Sequence, residues 1–310
     1  MKDTENPSAL NYWVFNKEYP LHSNAEILIT GSAGSGKSYF VYNYLLPIYI
    51  KEMNIKTIFI CSKTGKLDMT TSNLLKSSIY KEVGIDFVKM DEIYERVQLT
   101  RAESLINEFN LKMVKIKTFD DYKKLVKKLE NLIKSLYEYD VLRSELEKLL
   151  QTYRKYVNIE IDEMREISNY LYIKSTTKLT YNPIIVIFDD CSGSKEFLNP
   201  ASDIHSLTYC RRHMLVNMFL CVQSLTTVST NIRRNCTIFI NFSTLSPKDV
   251  ESLSERIPIK WTKKTLLEAF INISEAENRD DKVLTLFTVY PYHKIVLGTP
   301  NCLKKYSSNK

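Results

Sequence analysis

The sequence lacks the features that mark membrane, secreted and zinc-binding proteins. No apolar run reaches the roughly 18 residues that a bilayer-spanning helix needs, and the N-terminus, MKDTENPSALNYW, carries no apolar signal-peptide core. The six cysteines form no CxxC pair and the four histidines form no cluster, so we expect no structural zinc and reduced, mostly buried thiols. These absences predict a soluble intracellular protein with no membrane partner.

The composition is that of a folded protein with an excess of positive charge. Apolar residues make up 44% of the 310 residues, which is enough for a buried core. The length suits one large domain, or one domain with an insert. Lysine and arginine outnumber aspartate and glutamate by 43 to 36, a net charge of +7, which suits a polyanionic partner without identifying one.

Glycine is scarce, yet three of the seven glycines lie in one stretch of six residues. This stretch belongs to a phosphate-binding pattern, G-x-x-x-x-G-K-S. The pattern stands between a short apolar strand and a helix that we expect to end at Pro47. Glycines let the backbone amides and the helix N-terminus face a phosphate, Lys37 can reach the β- and γ-phosphates, and the Ser38 hydroxyl can ligate Mg²⁺. We therefore expect ATP and Mg²⁺ as cofactors. The predicted nucleotide-binding residues of this Walker A loop are Gly31, Ser32, Ala33, Gly34, Ser35, Gly36, Lys37 and Ser38.

A second motif supplies carboxylates. Five apolar residues at 184–188 lead directly into Asp189 and Asp190, as expected for a central strand that is buried on both faces. Ligands bind at the carboxyl ends of such strands. We assign Asp189 to Mg²⁺ and Asp190 to polarising the attacking water as general base, the arrangement of a Walker B motif, with a solvated acidic turn as the alternative. The adjacent second acid favours NTP hydrolysis over transfer to a small acceptor.

A third apolar strand, at residues 215–222, leads into Gln223. The amide of Gln223 could orient the lytic water or sense the γ-phosphate. An amide that simply ends a strand is the alternative.

Two arginine pairs stand near this strand. Arg211 and Arg212 precede it, and Arg233 and Arg234 follow it, ahead of a fourth strand. We expect both pairs beside the nucleotide edge of the sheet, where one subunit's arginine could reach its neighbour's γ-phosphate. Solvated basic turns are the alternative for either pair.

Some 120 residues separate the second strand, at 57–61, from the Asp189 strand, far more than a crossover needs. Thr118-x-x-Asp121 resembles a capping box, and apolar residues at helical spacing follow it, with one shortened step. This rhythm predicts one long amphipathic helix or a helical hairpin with a coiled-coil-like seam, kinked near Asp140. The expected seam consists of Tyr122, Leu125, Leu129, Leu132, Leu136, Tyr139, Leu142, Leu146, Leu149, Tyr153 and Tyr156.

The insert could pack on its own core, or act as an arm that contacts a subunit, a partner or a phosphate backbone. We place the ATPase core at residues 1–115 and 176–310 and the helical insert at 116–175. Strands at 283–290 and 294–297 predict a closing β-hairpin, and residues 304–310 a loose polar tail. The expected fold class is α/β, a P-loop NTPase with a mostly parallel central sheet flanked by helices.

The assembled pattern resembles the FtsK–HerA superfamily of P-loop ATPases, and within it the viral genome-packaging branch of poxviruses, giant viruses, virophages and polinton-like elements. The resemblance covers roughly residues 24–62 and 180–300, and its specific carriers are Phe188-Asp189-Asp190, Arg212-His213, Gln223 and Ile232-Arg233-Arg234-Asn235. It implies that Asp190 stands at the position of the catalytic acid, which many members fill with the longer glutamate. It also implies that Gln223 is the polar sensor and that Arg233, with Arg212 as its rival, acts in trans.

These expectations combine into an ATP-driven double-stranded DNA translocase that packages a viral genome into a preformed capsid. The expected partners are duplex DNA held without sequence readout, a homo-oligomeric ring of five or six subunits, and a capsid vertex protein. The expected location is the virus assembly site in the host cytoplasm, or the virion. A small-molecule kinase and a non-catalytic assembly protein ordered by nucleotide are the alternatives.

Overall fold

A computed structural model of the chain describes residues 24–62, 75–76, 78–174, 182–191, 193–242, 246–254, 263–275, 283–287, 294–297 and 304–305. The chain divides into two compact units. The first consists of Met1–Ile93 and Pro183–Lys310, and the second of Tyr94–Asn182. The insert predicted at 116–175 falls within the second unit, which also takes in a preceding helix.

The first unit is built on one nine-stranded sheet with the order β3-β2-β4-β5-β1-β6-β7-β8-β9. The first six strands in this order run parallel, and the last three are antiparallel. The predicted α/β class with a mostly parallel sheet is therefore confirmed. The strands are β1 Glu26–Thr30, β2 Thr57–Ser62, β3 Gly84–Phe87, β4 Ile184–Asp189, β5 Val216–Val222, β6 Ile238–Phe242, β7 Val283–Phe287, β8 Lys294–Leu297 and β9 Lys304–Lys305.

The core lies on both faces of the central strands. Every residue of β1, β4 and β5 is buried, which explains why these strands read as apolar runs without alternation. Helices of the first unit flank its sheet. They are α1 (residues 37–53), α6 Asp203–Cys210, α7 Thr230–Asn235, α8 Pro247–Ser254 and α9 Lys263–Glu275. The helices of the second unit are α2 Ile93–Val114, α3 Phe119–Ser135, α4 Asp140–Lys155 and α5 Ile161–Lys174.

The expectation that the first helix ends at Pro47 is wrong. α1 continues through it as three segments, Lys37–Phe40, a π-helical turn Val41–Leu45, and Leu46–Met53. Proline lacks an N–H and clashes with the carbonyl of the preceding turn. The π turn hydrogen-bonds to the fifth residue back, so the carbonyl that Pro47 leaves without a donor is that of Tyr42. The buried hydroxyl of Tyr80 donates to that carbonyl, and the helix continues at little cost.

The C-terminal strands confirm one expectation and correct another. β7 and β8 pair antiparallel, as the predicted hairpin requires, while its turn at 291–293 lies outside the described residues. Lys304 and Lys305 were expected in a loose tail but form β9 against β8. Strands pair through backbone hydrogen bonds, so side-chain hydropathy gives no signal for a strand of two residues.

The second unit contains the predicted helical hairpin, with the break at residues 136–139 between α3 and α4. The capping box is present, since the Thr118 side chain accepts from the Asp121 amide while the Asp121 carboxylate accepts from the Thr118 amide. The seam differs from the expected one around the last turn of α3, where Ile133 is buried. Leu132 and Leu136, expected in the seam, are half-buried.

Candidate functional site

The phosphate-binding loop follows the carboxyl end of β1, which lies between β5 and β6 in the sheet. Gly36, the N-cap of α1, has a left-handed φ of 97°, which glycine adopts without a steric penalty. A Cβ atom on Gly31 would lie 2.6 Å from Ser35 Oγ and 2.8 Å from Phe242 Cβ. The glycines of the motif are therefore required by a left-handed turn at one end and by close packing at the other.

Lys37, the first residue of α1, folds back over the loop. Its Nζ donates to the carbonyl oxygens of Gly31 at 2.7 Å and Ser32 at 2.8 Å. Burial lowers the pKa of Lys37, although the nearby carboxylates of Asp189 and Asp190 act to raise it. A lysine held this way presents its charge at the mouth of the loop, where a phosphate would lie.

The two motifs meet at one point. Ser38 Oγ donates to Asp189 Oδ1 at 2.9 Å, across 151 positions of the sequence. Asp189 ends β4 and is only 7% exposed. A hydroxyl and a carboxylate oxygen in contact form the hard oxygen donor set that Mg²⁺ prefers, so these residues fit the metal that we expected there.

Asp190, next along the chain, is exposed and has a left-handed φ of 51°. Aspartate tolerates this conformation better than most residues, and residues held in sparsely populated backbone regions cluster at functional sites. The turn takes Asp190 out of the strand at the same edge of the sheet as Asp189.

Gln223 lies between the two motifs because of the strand order. β5 is inserted between β1 and β4, and Gln223 directly follows its last residue, Val222. The Gly31 amide donates to the Val222 carbonyl at 3.3 Å. The exposed Gln223 thus follows the strand that separates the phosphate loop from the acid pair, at the edge where parallel sheets bind ligands.

Asp249 holds the turn that follows Gln223, and it was not among the predicted site residues. Its carboxylate Oδ1 accepts from Ser224 Oγ at 2.6 Å and from the Leu225 amide at 2.7 Å. Its Oδ2 accepts from Ser246 Oγ at 2.8 Å. One buried carboxylate therefore holds the turn after Gln223 and caps α8 together. The contacts with Ser246 are local, whereas those with Ser224 and Leu225 join segments about 25 residues apart.

His205 was also missed. It is fully buried, with Nδ1 3.0 Å from Ser202 Oγ and Nε2 2.7 Å from Ser229 Oγ. Ser229 is the N-cap of α7, the helix of Arg233. The imidazole joins the segment that follows the acid pair to the helix that carries the candidate arginine.

The expectation that both arginine pairs lie beside the nucleotide edge is wrong within one subunit. Arg212 is exposed in the turn that precedes β5, and α7 with Arg233 leads into the start of β6. Parallel strands place these positions at the amino ends, opposite the phosphate loop. Neither arginine therefore lies beside the phosphate loop of its own chain. The Arg233 atoms Nε and Nη1 are buried and have no hydrogen-bond partner among the residues that the structure describes.

Arg211, the first residue of the pair, is structural. Its side chain is buried, with Nη1 3.2 Å from Glu26 Oε2. Its Nη2 donates to the Asn235 carbonyl at 2.8 Å. Burial raises the pKa of Glu26 to about 7, against the opposing effect of Arg211. This pair ties the starts of β1, β5 and β6 together.

The described part of the chain contains neither a cluster of metal-binding side chains nor a membrane-spanning helix. No group of three or more histidine, cysteine, aspartate or glutamate side chains could hold a metal ion there. None of the helices within the described ranges is long and apolar enough to cross a bilayer. Five cysteines are buried free thiols, and Cys302 lies outside the described residues.

Solved structures with a similar arrangement include genome-packaging NTPases. The NTPase B204 from Sulfolobus turreted icosahedral virus 2, in complex with ATP-gammaS, is 12% identical with a TM-score of 0.45, covering 91% of this chain and 100% of that one. B204 from Sulfolobus turreted icosahedral virus, a DNA-packaging ATPase, is 13% identical with a TM-score of 0.45, covering 90% and 99%. The cytoplasmic domain of the type VII secretion ATPase EccC of Thermomonospora curvata is 12% identical with a TM-score of 0.42, covering 89% and 25%. No curated protein matches the chain.

The family match is more specific. The family described as poxvirus A32 protein matches residues 118–291, which is more than half of the 310 residues and includes Asp189, Gln223 and Arg233. The chain therefore belongs to the poxvirus A32 protein family and is a P-loop ATPase.

Proposed function

We propose that the protein is an ATP-hydrolysing double-stranded DNA translocase that packages a viral genome into a capsid at the virus assembly site. The observation that carries the hydrolytic part is the contact between Ser38 and Asp189, with Lys37 and Asp190 at the same edge of the sheet. Family membership and the motifs shared with packaging ATPases support the DNA-translocating part.

In the proposed reaction the chain positions ATP and stabilises charge. Loop amides hold the phosphates, and the Lys37 ammonium leaves the Gly31 and Ser32 carbonyls to contact the β- and γ-phosphates. Bound at Ser38 and Asp189, Mg²⁺ would neutralise charge on the transferred phosphoryl group. Asp190 accepts the proton of the attacking water, and Gln223 orients that water.

The site is incomplete in one subunit, because Arg212 and Arg233 lie at the opposite end of the sheet. We infer that a neighbour in a homo-oligomeric ring of five or six subunits supplies the arginine, and we favour Arg233. Such an arginine raises the turnover number by about 10³- to 10⁵-fold in related phosphoryl transfer. DNA is gripped through its phosphates, so affinity should fall steeply with salt.

The primary test is ATP turnover with and without duplex DNA. Wild type should be stimulated by DNA and release ADP and inorganic phosphate. Lys37→Ala and Asp190→Asn should each lose at least about 100-fold in turnover number, while Lys81→Ala, an exposed lysine outside the loop, should match wild type. Turnover without DNA stimulation, together with the absence of a ring in electron micrographs, would contradict the proposal. Phosphorylation of a small acceptor would support a kinase instead, and binding without turnover an assembly protein.

Complementation tests the arginine. Arg233→Ala and Lys37→Ala should each be inactive alone, but mixing them should restore part of the activity, because one variant supplies the loop and the other the arginine. Arg234→Ala, an exposed neighbour on the same helix, is the matched control and should stay active. No recovery on mixing would exclude action of Arg233 across an interface.

A further inference from the structure

The outer face of α3 in the second unit is rich in exposed lysines. Between residues 115 and 134 the chain carries seven lysines and three acids. Five of the lysines project from α3, opposite the buried stripe that contains Leu125 and Leu129. We call this surface the lysine face; its members, all exposed, are Lys123, Lys124, Lys127, Lys128 and Lys134.

Two of the three acids nearby are engaged elsewhere, and the third, Asp120, is exposed in the first turn of α3. Asp121 accepts from the Thr118 amide at 3.0 Å in the capping box, and Glu130 pairs with Arg154 of α4 at 2.9 Å. Lys123 lies over the ring of Phe119. Among the residues that the structure describes, Lys127 and Lys128 have no ion-pair partner. The positive charge of this face is therefore largely uncompensated within the second unit.

The neighbouring helix, α4, shows that the hairpin does not require a face of uncompensated positive charge. On α4, Arg143 pairs with Glu147 at 3.4 Å and Lys148 with Glu145 at 2.6 Å. On α3, by contrast, lysines stand four residues apart, and such like-charge pairs destabilise a helix by about 0.2–0.5 kcal/mol each. Alternating charges would have served solubility equally well, so the lysine face points to an anion outside the chain.

The geometry selects the kind of anion. The apolar face of α3 is buried against α4, where the Tyr122 hydroxyl donates to the Tyr153 carbonyl at 2.8 Å, so it is not available to enter a membrane. The lysines extend over twelve residues, from Lys123 to Lys134, which is about 16 Å of helix. Duplex DNA carries one charge per about 1.7 Å of its axis, and lysine ammonium groups bind phosphates as point charges without reading bases.

We infer that the lysine face is a docking surface for the phosphate backbone of duplex nucleic acid, separate from the ATPase site. The choice of nucleic acid as the polyanion rests on the proposed function; the surface itself rests on the placement of the lysines. The helical insert would then bind the nucleic acid through its phosphates, independently of base sequence.

The test is the salt dependence of binding to a random-sequence duplex of about 30 base pairs, followed by fluorescence anisotropy. The variant K124Q/K127Q/K128Q should bind at least about 10-fold more weakly at 100 mM salt, with the slope of log K against log salt reduced by about 2 to 3. The control, K89Q/K263Q/K264Q, removes three exposed lysines that are already paired with acids in the first unit. Its slope should match wild type. Circular dichroism should show that the test variant melts no lower than wild type, because glutamine and lysine have similar helix propensities and the repulsion is gone.

Each remaining outcome has one meaning. A wild-type slope in the test variant would overturn the docking surface and leave the proposed function standing. No DNA binding by wild type would overturn both. Tighter binding of polyglutamate or of phosphatidylserine vesicles than of duplex DNA, lost in the same variant, would overturn the assignment to nucleic acid.

Discussion

Asp249 offers a test of how the turn after Gln223 is held. It is 3% exposed and binds two segments at once, the turn at 224–226 and the start of α8. Asp249→Ala removes both carboxylate oxygens that accept these hydrogen bonds. The Leu225 amide, which donates to it at 2.7 Å in a buried position, loses its partner, and an unsatisfied buried donor costs about 1–3 kcal/mol. Loss of the capping interaction with Ser246 adds about 1 kcal/mol. We expect a total destabilisation of about 2–4 kcal/mol.

The functional effect should be separable from the loss of stability. The turn fixes the backbone beyond Gln223, whereas the phosphate loop is anchored by β1 and α1. Asp249→Ala should therefore lower the turnover number for ATP about 10-fold or more at a temperature where the variant is folded, and leave KM within about 2-fold. Asp249→Asn keeps one carbonyl oxygen and should fall between Asp249→Ala and wild type in both stability and turnover.

The assays are urea unfolding and steady-state phosphate release. Glu251→Ala, on the same helix, removes an exposed carboxylate that pairs with Lys263 at 2.7 Å and should cost less than about 1 kcal/mol. A turnover number unchanged in a folded Asp249→Ala protein would refute the positioning role, and a cost equal to that of Glu251→Ala would refute the accounting of hydrogen bonds.

The pH dependence gives an independent check. Burial acts to raise the pKa of Asp249, but hydrogen bonds from Ser224 and Ser246 outweigh it and hold the pKa below its ordinary 3.8. The folded state thus favours the ionised form, and this contribution to stability is present above pH 3.8 and lost as the pH falls below it. Asp249→Asn should unfold with a weaker dependence on pH in that acid range.

Three further predictions follow from the geometry. Gly31→Ala should weaken ATP binding at least about 10-fold in a fluorescent-nucleotide titration, because its Cβ would clash with Ser35 and Phe242 at under 3 Å and shift the loop; unchanged affinity would contradict this. The pKa of Glu26 is about 7 in the folded chain against an ordinary 4.5, so its contribution to stability declines as the pH rises between these values, and Glu26→Gln should flatten the unfolding free energy there. Leu129→Ala, at a fully buried position of α3, should destabilise the second unit by about 2–5 kcal/mol in thermal denaturation, and a loss below about 1 kcal/mol would refute the packing of the hairpin.

Features set by neighbouring residues could be predicted well from the sequence. The strand, loop and helix around Lys37, the buried strand that ends at Asp189, and the capping box at Thr118 all depend on chemistry within a few positions. Side-chain pattern was a poorer guide where polar residues are buried. α2 was not predicted, because Gln98, Arg101 and other polar residues lie inside the second unit and are satisfied by specific partners, such as the Asn182 carbonyl 2.6 Å from Arg101 Nη1.

Local motifs indicate which groups are available for ATP chemistry: a glycine loop with its lysine, an acid pair after a buried strand, and an amide after another strand. Which of these groups meet depends on the order and direction of the strands. The insertion of β5 between β1 and β4 brings Gln223 between the two motifs, and Ser38 meets Asp189 across 151 positions. The parallel strand directions send the arginines to the opposite edge. Strand order and direction depend on contacts between distant segments, whereas the motifs depend on covalent neighbours, and this is why the sequence revealed the parts of the site and the fold revealed its arrangement.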